Sequence, residues 1–214
     1  MLFGAFIPMR FVRKILIAAT LLATCGTAWA EPLRVYAIRG FAGAVFSRGM
    51  NKLCDDLTKL PQVSCSVEDF YDVFDLEKQA FATVASGQRL VLVGHSLGAN
   101  AALRIATGIK GDVPLVVTID PNWFLPPSVP ANVEIVLNYY QTSGVIGHAT
   151  LQPPPGFRGK LEQFLRSEPH HRIDASPEIH AEIVTRVRTI LANPASQSKP
   201  PIDAPGSRQP RGPD

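Results

Sequence analysis

The chain has 214 residues, 46% hydrophobic and 18% charged, with 21 Lys and Arg against 18 Asp and Glu. That length suits one domain with tails. The basic excess is Arg10, Arg13 and Lys14 in the first 30 residues; the rest is formally neutral, which removes the charge argument for nucleic acid or an anionic membrane surface as the main partner.

Those three cations precede an apolar run, Ile15 to Ala23, that is too short to span a bilayer, and then Ala28-Trp29-Ala30, a small-x-small cleavage pattern. Residues 1–30 read as a secretory signal peptide, with Met9 an alternative start, since the n-region after it suffices, and Glu31 the first mature residue. A lipoprotein signal ending at Cys25 fits less well, because Thr24 stands where a smaller residue is expected. The expected location is therefore periplasmic or secreted, with no stable membrane insertion once the signal is removed. Of the three cysteines, Cys25 leaves with the signal. Cys54 and Cys65 remain as an even pair in an oxidising compartment, and a disulfide is expected between them.

The expected globule covers residues 31–193. Leu33 to Ile38 reads as a strand, followed by the glycine-rich loop Arg39-Gly40-Phe41-Ala42-Gly43. A helix is expected from Ser47 to Leu60, with Phe46, Met50, Leu53, Leu57 and Leu60 on one face, stopped by Pro61. Ser64 to Phe70 is the next strand and Val73 to Ser86 the next helix, ended by Gly87. Leu90 to Val93 is a short buried strand. Leu97, Ala101, Ala102, Ile105 and Ile109 then repeat at helical spacing. Leu115 to Ile119 and Val133 to Tyr139 are strands, separated by an apolar, Pro-rich loop at 122–132. After a second Pro-rich loop at 141–156, Leu161 to Arg166 admits a last strand. Ser176 as N-cap, Pro177 at the first helical position, and the stripe Ile179, Ile183, Val187 and Ile190 mark a final helix. Residues 194–214 are rich in Pro, Ser, Gly and charge and read as a disordered tail. Alternating strands and helices make this an α/β fold, a mostly parallel sheet with helices on both faces.

The chemistry centres on Leu90 to Ala99. A bare Gly-x-Ser-x-Gly arises by chance in roughly one chain of this length in ten, so its weight rests on its flanks. Here a strand precedes Gly94-His95-Ser96-Leu97-Gly98 and a helix follows, the order of a nucleophile elbow. Gly94 and Gly98 lack side chains where strand and helix pass close together, and Ser96 is exposed on the turn as the candidate nucleophile. Its partners should lie beyond the carboxyl ends of later strands, acid before histidine. Asp120, directly after Ile119, fits the acid, although Asp-Pro also starts turns. Among His148, His170, His171 and His180, the expected base is His171, with His170 and His180 in reserve. The oxyanion N–H groups are expected from Leu97 and from Phe41 or Ala42 in the loop after the first strand. A metal site at His170, His171, Asp174 and His180 matches no standard zinc spacing, so no metal and no cofactor is expected.

These residues resemble the α/β-hydrolase superfamily in its small lipase and thioesterase-like branch. Gly94 to Ala99 resembles a lipase serine elbow, Arg39-Gly40-Phe41 the oxyanion loop, and His171-Arg172-Ile173-Asp174 the histidine loop of thioesterase-like members. The resemblance covers most of 33–191, without the usual first hairpin and without a large cap domain. Any lid would come from the loops at 123–130 or 145–156. With the signal pattern at 1–30, the resemblance implies an exported serine hydrolase acting on a small-molecule ester or thioester through an acyl-enzyme on Ser96. The alternative is a non-catalytic binding protein that keeps the elbow as scaffold.

Overall fold

The computed structural model describes residues 32–122, 124, 128–142 and 150–193. The expected signal peptide, the Pro-rich tail, His148 and much of both expected lid loops (123, 125–127 and 143–149) lie outside these residues. Among the described residues, no helix is long and apolar enough to cross a membrane.

Among the described residues, six strands form one all-parallel sheet: β1 (Leu33–Arg39), β2 (Val63–Asp69), β3 (Arg89–His95), β4 (Val113–Ile119), β5 (Val133–Tyr140) and β6 (Lys160–Leu165). The spatial order is β2-β1-β3-β4-β5-β6. The ambiguous stretch at 161–166 is thus a true strand, pairing Leu137 with Glu162 and Tyr139 with Phe164. The helices are α1 (Gly43–Phe46), α2 (Gly49–Leu57), α3 (Val73–Ala85), α4 (Leu97–Gly108), α5 (His170–Ile173) and α6 (Pro177–Ala192).

The alternation of side chains along each strand sorts the core into two layers. Val35, Ala37, Val91, Val93, Leu115, Val117 and Leu137 face α2 and α6, meeting Met50, Leu53, Leu57, Ile179, Ile183 and Val187. Tyr36, Ile38, Leu90, Leu92, Val116 and Val136 face α3 and α4, meeting Leu76, Ala80, Ala102, Leu103 and Ile105. Covered on both faces, β3 and β4 are buried along their whole length, which is why they read as unbroken apolar runs. The chain leaves β1 toward β2 on one side and returns to β3 on the other. The β1 and β3 loops therefore diverge at the carboxyl edge, opening a crevice between them.

Several boundaries differ from the sequence reading. The single helix expected over 47–60 is two pieces, α1 and α2, broken at Ser47 and Arg48, because the Ser47 hydroxyl turns inward to a buried hydrogen bond. Phe46, expected on the inner face, is 52% exposed on α1. The start of α2 has no local side-chain cap. Its Gly49 N–H instead donates to Asp174 Oδ2 at 2.8 Å, from a residue far along the chain. Ser176 does stand at the start of α6, but its hydroxyl donates to Glu178 (2.8 Å) rather than capping the backbone. Cys54 on α2 and Cys65 on β2 are joined by the expected disulfide, across a sequence separation of 11. A loop that short stabilises by about 3 kcal/mol in the chain-entropy account.

Candidate active site

Ser96 occupies a turn that few residues adopt. Its backbone has φ 57 and ψ −124, a conformation that costs about 1–3 kcal/mol for a residue with a Cβ. The turn is held on both sides: the Ser96 N–H donates to the Ile119 carbonyl (2.9 Å), and the Ser96 carbonyl accepts the Ala99 N–H (2.9 Å) to open α4. The glycines make this packing possible. A Cβ on Gly94 would collide with the Gly98 backbone, and one on Gly98 with the Ile38 carbonyl.

Asp120 follows β4, one strand over. It too has positive φ (47), and its N–H donates to the Tyr139 carbonyl at 2.7 Å. That turn aims a fully buried carboxylate toward the crevice. Its Oδ2 accepts from His170 Nδ1 at 2.7 Å and from Gln141 Nε2 at 3.0 Å. The chain beyond is pinned by a reciprocal pair, Asn122 N–H to Asn100 Oδ1 (3.0 Å) and Asn100 Nδ2 to the Asn122 carbonyl (3.2 Å).

The histidine assignment changes. His170 Nε2 lies 3.1 Å from Ser96 Oγ while its Nδ1 faces Asp120, so His170 and not His171 stands between serine and acid. The expected loop is a single helical turn, α5, in which neighbouring side chains diverge by about 100°. His170 shares the inward face with buried Ile173, three residues on, while His171 is exposed to solvent. His180 is buried on α6, where its Nε2 donates to the Asp174 carbonyl at 2.7 Å. Burial lowers its pKa below the usual histidine value. Asp174, buried beneath α5, has its carboxyl pushed up to about 6 by desolvation, against the opposing Gly49 N–H.

The loop after β1 comes right up to the serine: a Cβ on Gly40 would lie 2.7 Å from Ser96 Cβ. Of its N–H groups, that of Gly40 donates to Ser47 Oγ (3.2 Å) and that of Ala42 to the Tyr71 hydroxyl (3.5 Å). Phe41, between them, is 66% exposed and has no backbone acceptor among the described residues. Leu97 is the first residue of α4, where N–H groups point out of the helix toward the crevice. Arg39 is turned aside, donating to Asn51 Oδ1 at 2.9 Å. Loops at this carboxyl edge carry exposed aromatic side chains. Tyr71, Phe41 and Phe124 follow β2, β1 and β4, flanking Ser96 after β3, and all three are more than half exposed.

Sequence reasoning missed Gln141, Ser47 and the Asn100–Asn122 pair. Gln141 had a legible signal, since it directly follows β5 at the same carboxyl edge as Asp120 and Ser96. Ser47 and the Asn pair had none, because their roles depend on contacts between distant segments.

Residues 22–211 match the model of the Alpha/beta hydrolase family. No curated protein matches the chain. Among solved structures, the chain is similar to a protein from Xanthomonas campestris pv. campestris described as a hydrolase of the alpha/beta superfamily. That alignment is 14% identical, covers 76% of this chain and 99% of the other, and has a TM-score of 0.50. A second Xanthomonas campestris protein, a serine hydrolase without a lid, is 16% identical, with 77% and 84% of the two chains covered and a TM-score of 0.49. A soluble variant of the Saccharomyces cerevisiae monoglyceride lipase, in complex with a substrate analog, is 12% identical, with 77% and 87% covered and a TM-score of 0.48. The family match spans all six strands, the elbow and the last helix, and the open parallel sheet is the one that family builds: the chain belongs to the alpha/beta hydrolase family and is a hydrolase.

Proposed function

We propose that the protein is an exported serine esterase that cleaves small carboxylic esters with an apolar acyl group, through an acyl-enzyme on Ser96. The observation that carries this reading is the unbroken chain Ser96 Oγ, His170, Asp120, at 3.1 and 2.7 Å, with the serine held at positive φ. Asp120 accepts a hydrogen bond from the Nδ1–H of His170, which leaves the Nε2 lone pair facing the serine hydroxyl. Ser96 Oγ attacks the acyl carbon as its proton passes to Nε2. The oxyanion takes hydrogen bonds from the N–H groups of Leu97 and Phe41. Nε2 then returns the proton to the leaving alkoxide. In the second half, water gives a proton to Nε2, attacks the acyl carbon, and releases the acid as the proton returns to Ser96.

The exposed rings of Phe41, Tyr71 and Phe124 support an apolar acyl group over a charged one. The signal pattern at 1–30 and the Cys54–Cys65 bridge support action outside the cytoplasm, where coenzyme A thioesters are not the available substrate. A fluorophosphonate probe tests the nucleophile: it labels the wild-type protein at Ser96 and leaves Ser96→Ala unlabelled. No labelling of wild type above that of Ser96→Ala would sink the enzyme reading and leave a binding protein.

A further inference from the structure

His95 precedes the nucleophile, yet its ring does not serve the serine hydroxyl. It is buried beside the His170 ring, with centroids 4.9 Å apart, and is 1% exposed. Its Nε2 lies 2.9 Å from the His170 carbonyl oxygen, and its Nδ1 lies 2.8 Å from Ser47 Oγ. A carbonyl only accepts, so Nε2 carries the proton. Burial holds the ring pKa down at about 3, so the imidazole is neutral and Nδ1 is an acceptor. The Ser47 hydroxyl must then donate to Nδ1, and its oxygen accepts the Gly40 N–H at 3.2 Å. Every proton in this chain has one possible direction: Gly40 N–H to Ser47, Ser47 O–H to His95, His95 N–H to the His170 carbonyl.

We propose that Ser47 and His95 are positioning residues, a buried relay that locks the oxyanion loop and the backbone of the general base into one geometry behind Ser96. The proposal rests on the esterase reading above, in which His170 is the base and Phe41 an oxyanion donor. At one end, the bond to Ser47 restrains the Arg39–Gly40 peptide, which adjoins the peptide that carries the Phe41 N–H. At the other end, His170 sits in a helix of one turn, and its side chain is 23% exposed. The bond to its carbonyl restrains the peptide from which that side chain projects. Such bonds matter because a misplacement of about 1 Å in a reacting group costs on the order of a hundredfold in rate. Both ends meet at one imidazole, so the two halves of the machinery do not move independently.

The relay can be cut at either arm. His95→Asn keeps an acceptor near the Nδ1 position and loses the N–H to His170. His95→Gln keeps a donor near Nε2. Ser47→Ala removes both of its bonds. With p-nitrophenyl butyrate, His95→Asn and Ser47→Ala should lose roughly ten- to a hundredfold in kcat with KM little changed, and His95→Gln should recover part of the loss in His95→Asn. A role in folding alone would lower Tm without dividing kcat from KM at temperatures well below the transition. The second readout is the downfield proton resonance of the His170–Asp120 bond, which should shift or broaden in His95→Asn and in Ser47→Ala. Wild-type kcat together with an unchanged resonance in the folded variants overturns the relay. If His95→Asn does not fold, Ser47→Ala, which deletes a single hydroxyl, decides alone. If the wild type hydrolyses no ester, the esterase reading fails by itself, and the resonance comparison still decides whether His95 and Ser47 hold His170.

Discussion

Replacing Asp120 by Asn is the sharpest test of the proposed triad. The substitution keeps the size of a fully buried side chain and removes its charge. In the proposed mechanism His170 becomes an imidazolium in the transition state, and its Nδ1 lies 2.7 Å from Asp120 Oδ2. With charge centres about 4 Å apart and an effective dielectric near 20, that pair contributes about 4 kcal/mol, or about three orders of magnitude in rate. A tautomer effect adds to it. His170 Nδ1 and Gln141 Nε2 both donate to Oδ2, and an Asn amide can put either its oxygen or its NH2 at that position. If the NH2 faces His170, the ring must place its proton on Nε2, toward Ser96, where it blocks the base. Asp120→Asn should therefore lose at least about a thousandfold in kcat on p-nitrophenyl butyrate. The assay compares purified proteins, with the melting transition confirming that the variant is folded. A folded Asp120→Asn protein retaining kcat within about tenfold of wild type would refute the reasoning, because the charge would then not be coupled to the transition state.

Two further outcomes follow from the same geometry. His170→Ala should lose about a thousandfold or more in kcat, while His171→Ala, whose side chain is exposed, should stay within about twofold; equal losses would return the assignment to an open pair. Asp174 predicts a pH dependence of stability. Its folded pKa of about 6 lies above the ordinary 3.8, so the folded state binds that proton more tightly than the unfolded chain. Its contribution is fully present below pH about 4 and is lost as pH rises through about 6, at most about 3 kcal/mol. Denaturant melts at pH 4 to 7 should show this decline in wild type relative to Asp174→Asn, in which the group does not titrate. Parallel curves for the two proteins would remove Asp174 as its source.

Much of this architecture was legible before any coordinates. β3 and β4 announce themselves as apolar runs because parallel strands covered on both faces have no polar side. The stripe of α6 is legible because one face packs on the sheet. The elbow was legible because two glycines and a serine must sit at fixed spacing where a strand meets a helix, and Asp120 because it ends the next strand. Each of these is a local constraint written within one segment.

The histidine facing Ser96 was not of that kind. His170 and His171 are chemically identical neighbours, and what separates them is the phase of one helical turn, set by Ile173 packing into the core. The positive φ of Asp120 depends on Tyr139, the cap of α2 on Asp174, and the break before α2 on His95 receiving the Ser47 hydroxyl. Each partner lies on another segment, so no pattern within one stretch encodes it. The strands, the helix faces and the serine elbow follow from local periodicity and sterics. Which histidine faces Ser96, and the scaffold behind it, follow from contacts that exist only once the sheet has brought its loops to one edge.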